Sequence, residues 1–209
     1  MNRRETTKQE TRKLILNAAR RLFHTKGPER CTMRDIALQA GVSPASVVVH
    51  FKSKTALLEV ALYEDIERNI VRAVATMPQT APLLDRFMHI AQSMYSFYDS
   101  NRELYRVLIR DTAFEPKGEN PYLTRQLQEY LRFFGGLIEQ EKVLGTIRPE
   151  ADAQIAAASL FSLYFSVLME FLRNGNMTVN MALEWLALSA NQHLIGILLQ
   201  GEETNGRCA

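Results

Sequence analysis

Thr32-Met33-Arg34-Asp35-Ile36-Ala37-Leu38-Gln39-Ala40-Gly41-Val42-Ser43-Pro44-Ala45-Ser46-Val47-Val48-Val49-His50 is the stretch on which the fold turns. Thr32 followed three residues later by Asp35 has the form of a capping box, in which side chain and backbone satisfy each other's orphan groups at a helix start. Ile36, Ala37 and Ala40 give the short helix after it an apolar side. Gly41 supplies the permissive backbone of a tight turn, and Ser43-Pro44 reads as a new N-cap with proline at the first helical position. A third helix then runs from about Pro44 to His50. A helix of about eight residues, a glycine turn and a second short helix make the DNA-binding helix-turn-helix, whose second helix enters the major groove. The same spacing also occurs as plain structure.

Upstream, Leu14, Ile15, Ala18, Ala19, Leu22 and Phe23 recur at the three-four spacing of one buried helical stripe, which Gly27-Pro28 ends. Downstream, Ser53 caps a long fourth helix carrying Leu57, Leu58, Ala61, Leu62, Ile66 and Ile70 as far as Met77-Pro78. Further helices are expected at roughly 82–99, 101–113, 121–143, 150–173 and 179–199. Asn120-Pro121 and Pro149-Glu150 are their start signals, and Gly145, Gly175 and Gly201 lie near their ends. With no repeat and no alternating strand pattern, the fold class is all-α, with about nine helices.

Charge is unevenly distributed. Residues 1–60 hold 12 Lys and Arg against 5 Asp and Glu, while the remaining 13 basic residues are outnumbered by 18 acidic ones, so the net +2 divides into +7 and −5. Attraction to a polyanion is concentrated in the first quarter, which points to nucleic acid. Cys31 and Cys208 are far apart and lack metal-ligand spacing, so neither a disulfide framework nor a zinc site is expected, and Cys31 reads as a small apolar residue. No apolar signal segment opens the chain, and a cytoplasmic location is expected. The uncharged stretch Ala153 to Met169 approaches the length of a membrane span. It contains Gln154, Ser159, Ser162 and Ser166 and is closed by Glu170, so a helix buried within protein is the preferred reading. Nucleophile elbow, phosphate loop, dinucleotide fingerprint and zinc-helix motif are all lacking, and the four histidines are scattered. The protein is expected not to be an enzyme, with no catalytic residue, metal or cofactor.

The N-terminal quarter resembles the tetracycline-repressor family. The resemblance is carried by Ile15-Leu16-Asn17-Ala18-Ala19, Leu22-Phe23, Gly27, Thr32-Met33-Arg34-Asp35-Ile36-Ala37, Ala40-Gly41-Val42-Ser43, His50-Phe51, Ser53-Lys54 and Leu57-Leu58. Beyond it the likeness is one of length and helix count. It implies a homodimer, a separate effector site and release from the operator when ligand binds. The implied organisation is a helix-turn-helix domain over 1–53, a connecting helix over 54–77 and a ligand-binding and dimerisation domain over 78–209. The expected function is that of a transcriptional repressor on a palindromic operator. An activator, or an architectural factor without a ligand, is the alternative.

Candidate DNA-binding residues follow. Thr32 and Arg34 open the second helix, where backbone N–H groups and a guanidinium suit phosphate, the competing readings being a cap and a solvated charge. Ser53 and Lys54 match the family's Ser-Lys pair and are expected to clamp phosphate. Ser43, Pro44, Ala45, Ser46, Val48 and His50 present the third helix to DNA. Ala45 and Val48 suit thymine methyl groups, and Ser46 a base or phosphate. Val47 and Phe51 are expected in the core. The family commonly has tyrosine at the position of Val48, and glycine or alanine at that of Ala45. The hydroxyl lost at Val48 puts the usual contact set in doubt. Arg3 and Arg4 are either a minor-groove arm or a solvated tail.

The fifth helix carries Leu84, Phe87, Met88, Ala91, Tyr95 and Tyr98, and the seventh Leu123, Leu127, Tyr130, Leu131, Phe134, Leu137 and Ile138. Most of these are ordinary core. Their Tyr, Phe and Met content suits an adaptable site for a lipophilic or aromatic effector. The candidate lining is Phe87, Met88, Ala91, Tyr95, Tyr98, Leu108, Tyr130, Phe134 and Phe165. His89 and Glu170 are better read as core and rim residues, and Arg102, Arg106 and Arg110 as a solvated face. Apolar residues nearly surround the eighth helix and recur along the ninth, and the two are expected to form a four-helix dimer interface to which Phe161, Leu168 and Leu194 contribute.

Overall fold

The computed structural model describes residues 3–112 and 121–198. These form α1 (Arg3–Lys26), α2 (Met33–Ala40), α3 (Pro44–His50), α4 (Lys54–Ala75), α5 (Leu83–Asp99), α6 (Arg102–Thr112), α7 (Pro121–Val143), α8 (Ala153–Arg173) and α9 (Val179–Ile195). The all-α expectation holds, with nine helices among the described residues. Gly201, Cys208 and Asn120, and the side chains of Arg3, Arg4 and Leu123, lie outside them.

Local chemistry sets the helix ends. Thr32 closes the capping box, its Oγ1 accepting from the Asp35 N–H at 3.1 Å while its own N–H donates to Asp35 Oδ2 at 2.8 Å. Gly41, at φ 67°, ends α2 in the left-handed region, and the Val42 N–H returns to the Ala37 carbonyl at 3.0 Å. Ser43 and Ser53 accept from the Ser46 and Ala56 N–H groups at 3.1 and 3.0 Å. Two ends differ from expectation. α8 begins at Ala153 because Asp152 caps it by accepting from the Gln154 and Ile155 N–H groups, a better acceptor at a helix start than Pro149-Glu150 provides. α9 stops at Ile195, after which Arg148 N–H bonds the Ile197 carbonyl at 3.0 Å and Ile147 bridges to Leu198.

Two compact units result. The first comprises the described residues 3–76, 93–112 and 121–125. Ile15, Ala19, Phe23, Ile36, Val47 and Leu57 meet there at 0% exposure. Burying each larger aliphatic side chain among them contributes about 1.5–3 kcal/mol. Arg20 ties α1 to α4, its Nε donating to the Ala61 carbonyl at 3.0 Å. Tyr105 of α6 packs edge-on against Tyr98 at 5.2 Å.

The second unit comprises the described residues 77–92 and 126–198. Phe87 meets Phe134 edge-on at 5.7 Å, and the nearly buried Arg86 pairs with Glu141. α8 and α9 pack together, and Ala156, Leu160, Leu168, Ala182, Leu186 and Leu194 on them are buried. Among the described residues α8 alone is long and apolar enough to cross a membrane. One side of it is buried, through Ala156, Ala157, Leu160, Val167 and Leu168 among others.

Candidate nucleic-acid interface

α3 has only seven residues, too few to hold a helix by backbone bonds alone. Val47, fully buried, inserts into the core and fixes the rotation of the helix, and Phe51 is buried behind it as expected. At about 100° per residue, Ala45 and Val49 then lie opposite Val47, one turn apart, with Val48 on the flank. Val49 is 78% exposed and Val48 56%. Ser43, Pro44 and Ala45 are exposed, while Ser46 and His50 are half-buried. Val49 was missed by sequence reasoning, although the expected burial of Val47, carried round the helix at about 100° per residue, already turns Val49 outward. The signal was therefore available.

The anchoring residues divide. Arg34 is exposed. Thr32, by contrast, has both its N–H and its hydroxyl engaged by Asp35, the hydroxyl donating at 2.7 Å, so a phosphate there would compete with a carboxylate. That hydrogen bonding holds the Asp35 carboxyl below its usual range. Ser53 is exposed and acts as a cap. Lys54 Nζ donates to the Pro28 carbonyl at 2.9 Å, joining the loop after α1 to the start of α4. Arg12 of α1, absent from the candidate set, lies 5.0 Å over the Phe51 ring, a cation–π contact that positions a guanidinium beside α3. Desolvation, then Lys8 and Arg12, push the His50 imidazole below its ordinary range. Cys31 is buried, and burial followed by Asp35 raises its thiol, which keeps it from being a thiolate.

The candidate effector residues fall in both units. Tyr95, Tyr98 and Leu108 are buried in the first, where burial pushes the Tyr95 hydroxyl far above its normal range. Phe87, Ala91 and Phe134 are buried in the second, with Met88, Tyr130 and Phe165 half-buried. Tyr130 centres an aromatic cluster, 4.6 Å from Phe134 and 5.0 Å from Phe161, and Phe161 stacks on Phe165 at 5.9 Å. The Tyr130 hydroxyl and the Gln126 amide nitrogen, one turn apart on α7, are buried without a hydrogen-bond partner among the described residues. Burial raises the Tyr130 hydroxyl well above its normal range. Gln126 was not among the candidates; an amide at helical spacing from a tyrosine was the available signal.

The apolar surface of α8 and α9 also needs correction. Leu168 and Leu194 are 1% and 5% exposed within the protomer, so they are core, and Phe161 belongs to the aromatic cluster. Exposed apolar surface is carried instead by Met181, Trp185, Leu188 and Ile195 of α9 and by Ile155 and Met169 of α8.

A capped helix-turn-helix with an outward third helix, in the basic quarter of the chain, defines a DNA-binding transcriptional regulator. Residues 15–61 match the family described as bacterial regulatory proteins, tetR family. It is 28% identical over 170 residues to the nucleoid occlusion factor SlmA of Haemophilus influenzae (strain PittGG), covering 80% of this chain and 78% of SlmA. Identity to the HTH-type transcriptional regulator UidR of Escherichia coli K12 is 38% over 72 residues, 34% of this chain and 37% of UidR. In fold it is similar to the FadR repressor of Thermus thermophilus, solved in complex with lauroyl-CoA. There the TM-score is 0.73 at 16% identity, over 93% of this chain and 99% of FadR.

Proposed function

We propose that the protein is a cytoplasmic, non-enzymatic repressor that binds a palindromic operator as a homodimer and is released by a small lipophilic or aromatic effector. Residues 1–53 read DNA, 54–77 connect, and 78–209 hold effector and partner. The observation that carries this reading is the outward face of α3, held by the buried Val47, within a segment of charge +7. Arg34, Ser53 and Lys54 serve the phosphates, with Thr32 in a capping role, while Ser43, Pro44, Ala45, Ser46, Val48 and His50 face the groove.

Effector binding is assigned to the aromatic cluster of the second unit. Rings beside the buried Tyr130 hydroxyl, with the Gln126 amide one turn away and neither donor partnered among the described residues, suit an apolar ligand with a hydrogen-bond acceptor, since a buried donor left unmet costs about 1–3 kcal/mol. The lauroyl-CoA bound by the FadR of similar fold is consistent with a lipophilic ligand. Dimerisation is assigned to the exposed α8 and α9 residues, which leave an apolar surface unusual for a monomer.

The likeness to a nucleoid occlusion factor over most of the chain favours a second reading, DNA binding without a small effector. Footprinting on the protein's own promoter, repeated with lauroyl-CoA and with a panel of planar aromatics, separates the two. Repressor function predicts protection of one inverted repeat and a 5- to 150-fold loss of affinity with one compound, the scale of allosteric coupling of about 1–3 kcal/mol. Occupancy at many dispersed sites, unmoved by any ligand that calorimetry shows to bind, supports the second.

A further inference from the structure

We propose that the chain selects its DNA site by pressing Val49, with Ala45 and Val48 beside it, on the 5-methyl groups of thymine. The protein then discriminates thymine from uracil and accepts 5-methylcytosine where thymine is preferred. The inference rests on the helix-turn-helix reading and adds the chemistry by which that helix tells one base pair from another.

Base pairs in the major groove differ in the donors and acceptors they present and in one apolar group, the thymine methyl. Reading donors and acceptors requires a polar side chain with reach. None stands at the centre of the α3 outward face. Val49 and Ala45 lie opposite the buried Val47, Val48 flanks them and Pro44 starts the helix, so this surface offers only C–H groups. Ser46 and His50, the polar members, are half-buried at its edges. No arginine, lysine, asparagine or glutamine occurs between residues 43 and 51, so the bidentate contacts that identify guanine and adenine are unavailable to α3.

A side chain that carries only C–H groups can sense only the methyl. Thymine and 5-methylcytosine have it; cytosine and uracil do not. Affinity comes from elsewhere in the unit, through the exposed Arg34 and Lys52 and the amine of Lys54, which attract phosphate without regard to sequence. Val49 has no other evident role, because a β-branched residue 78% exposed in a seven-residue helix adds neither core burial nor helix propensity.

The test uses the full-length protein and a duplex selected by it from random sequence at one salt concentration. Each thymine of that duplex is replaced in turn by uracil, which removes the methyl and leaves the pairing edge unchanged. At one or two positions in each half-site the exchange should weaken binding about fourfold, equivalent to ~0.8 kcal/mol for one buried methyl. At those positions a C·G pair should cost a similar factor, and a 5-methylcytosine·G pair should recover at least half of the loss. Val49→Ala and the uracil exchange should be non-additive, together costing no more than either alone. Leu38→Ala, at an exposed apolar residue of α2, should leave the uracil penalty in place. Tolerance of uracil everywhere within twofold, or an undiminished uracil penalty in Val49→Ala, overturns the proposal while salt-dependent DNA binding persists. Failure of any duplex to be selected overturns the helix-turn-helix reading as well.

Discussion

The amine of Lys54 donates to the Pro28 carbonyl and keeps two protons for an anion. Its replacement therefore has two separable readouts. Lys54→Ala should lower unfolding free energy by on the order of 1 kcal/mol in urea titration, because a partly buried charged hydrogen bond is lost. It should also weaken binding to all duplexes alike and reduce the slope of log K against log salt by about one unit or less. A lower stability with an unchanged slope would make Lys54 a strut and nothing more. Contacts of this kind explain what the sequence could and could not disclose. Thr32, Ser43 and Ser53 bond within three residues of themselves, so their spacing is their geometry. Lys54 and Pro28 are 26 positions apart, and no local pattern links them. Val49 was legible but not read: once Val47 is expected in the core, helical geometry alone turns Val49 outward.

Among the helices, α7 contains adjacent glycines that look alike in sequence and differ in surroundings. A Cβ at Gly136 would meet nothing within 4 Å, whereas one at Gly135 would lie 2.4 Å from the Gln154 amide nitrogen of α8. Gly136→Ala should therefore stabilise the protein by about 0.5–1 kcal/mol, the entropy that helical glycine forfeits. Gly135→Ala should gain less, since the Gln154 side chain must swing away. Thermal unfolding of both variants checks the order; equal gains would mean that Gln154 moves at no cost. Helix existence was legible throughout because breakers are sparse and capping is local. The start of α8 was less so, since Pro149-Glu150 and Asp152 both offer start signals and only hydrogen bonding to Gln154 and Ile155 selects Asp152. On α5, the 3.6-residue stripe placed Phe87 and Tyr95 in the core, yet Leu83, Ile90 and Met94 are buried too. A helix covered on more than one side has no single apolar face to find.

At the scale of the whole molecule, the division of charge into +7 and −5 was readable by counting. The surface proposed for self-association was not. Counting shows that α8 and α9 carry excess apolar residues, but which of them serve the protomer's own core depends on how the two helices pack. Leu168 and Leu194 went inside, and Trp185 and Leu188 stayed out at 48% and 73% exposure. Trp185→Glu and Leu188→Glu should each shift the sedimentation of a micromolar solution from dimer toward monomer while the helical circular dichroism is retained. Binding to an inverted repeat should fall far more than binding to a half-site. A dimer undisturbed by both changes would move the interface off this face.

Within α3, the residue that secures the helix and the residues proposed to meet the groove are different ones. Val47 faces inward, and the substitutable side chains outside it carry little of the packing, so exchanges at Val48 or Val49 should stay within about 0.5 kcal/mol in stability. Anchorage and address are thus written in separate letters of a seven-letter word. A duplicated gene for such a chain can be redirected to another promoter one outward letter at a time, every intermediate remaining folded, and an engineer can follow the same route.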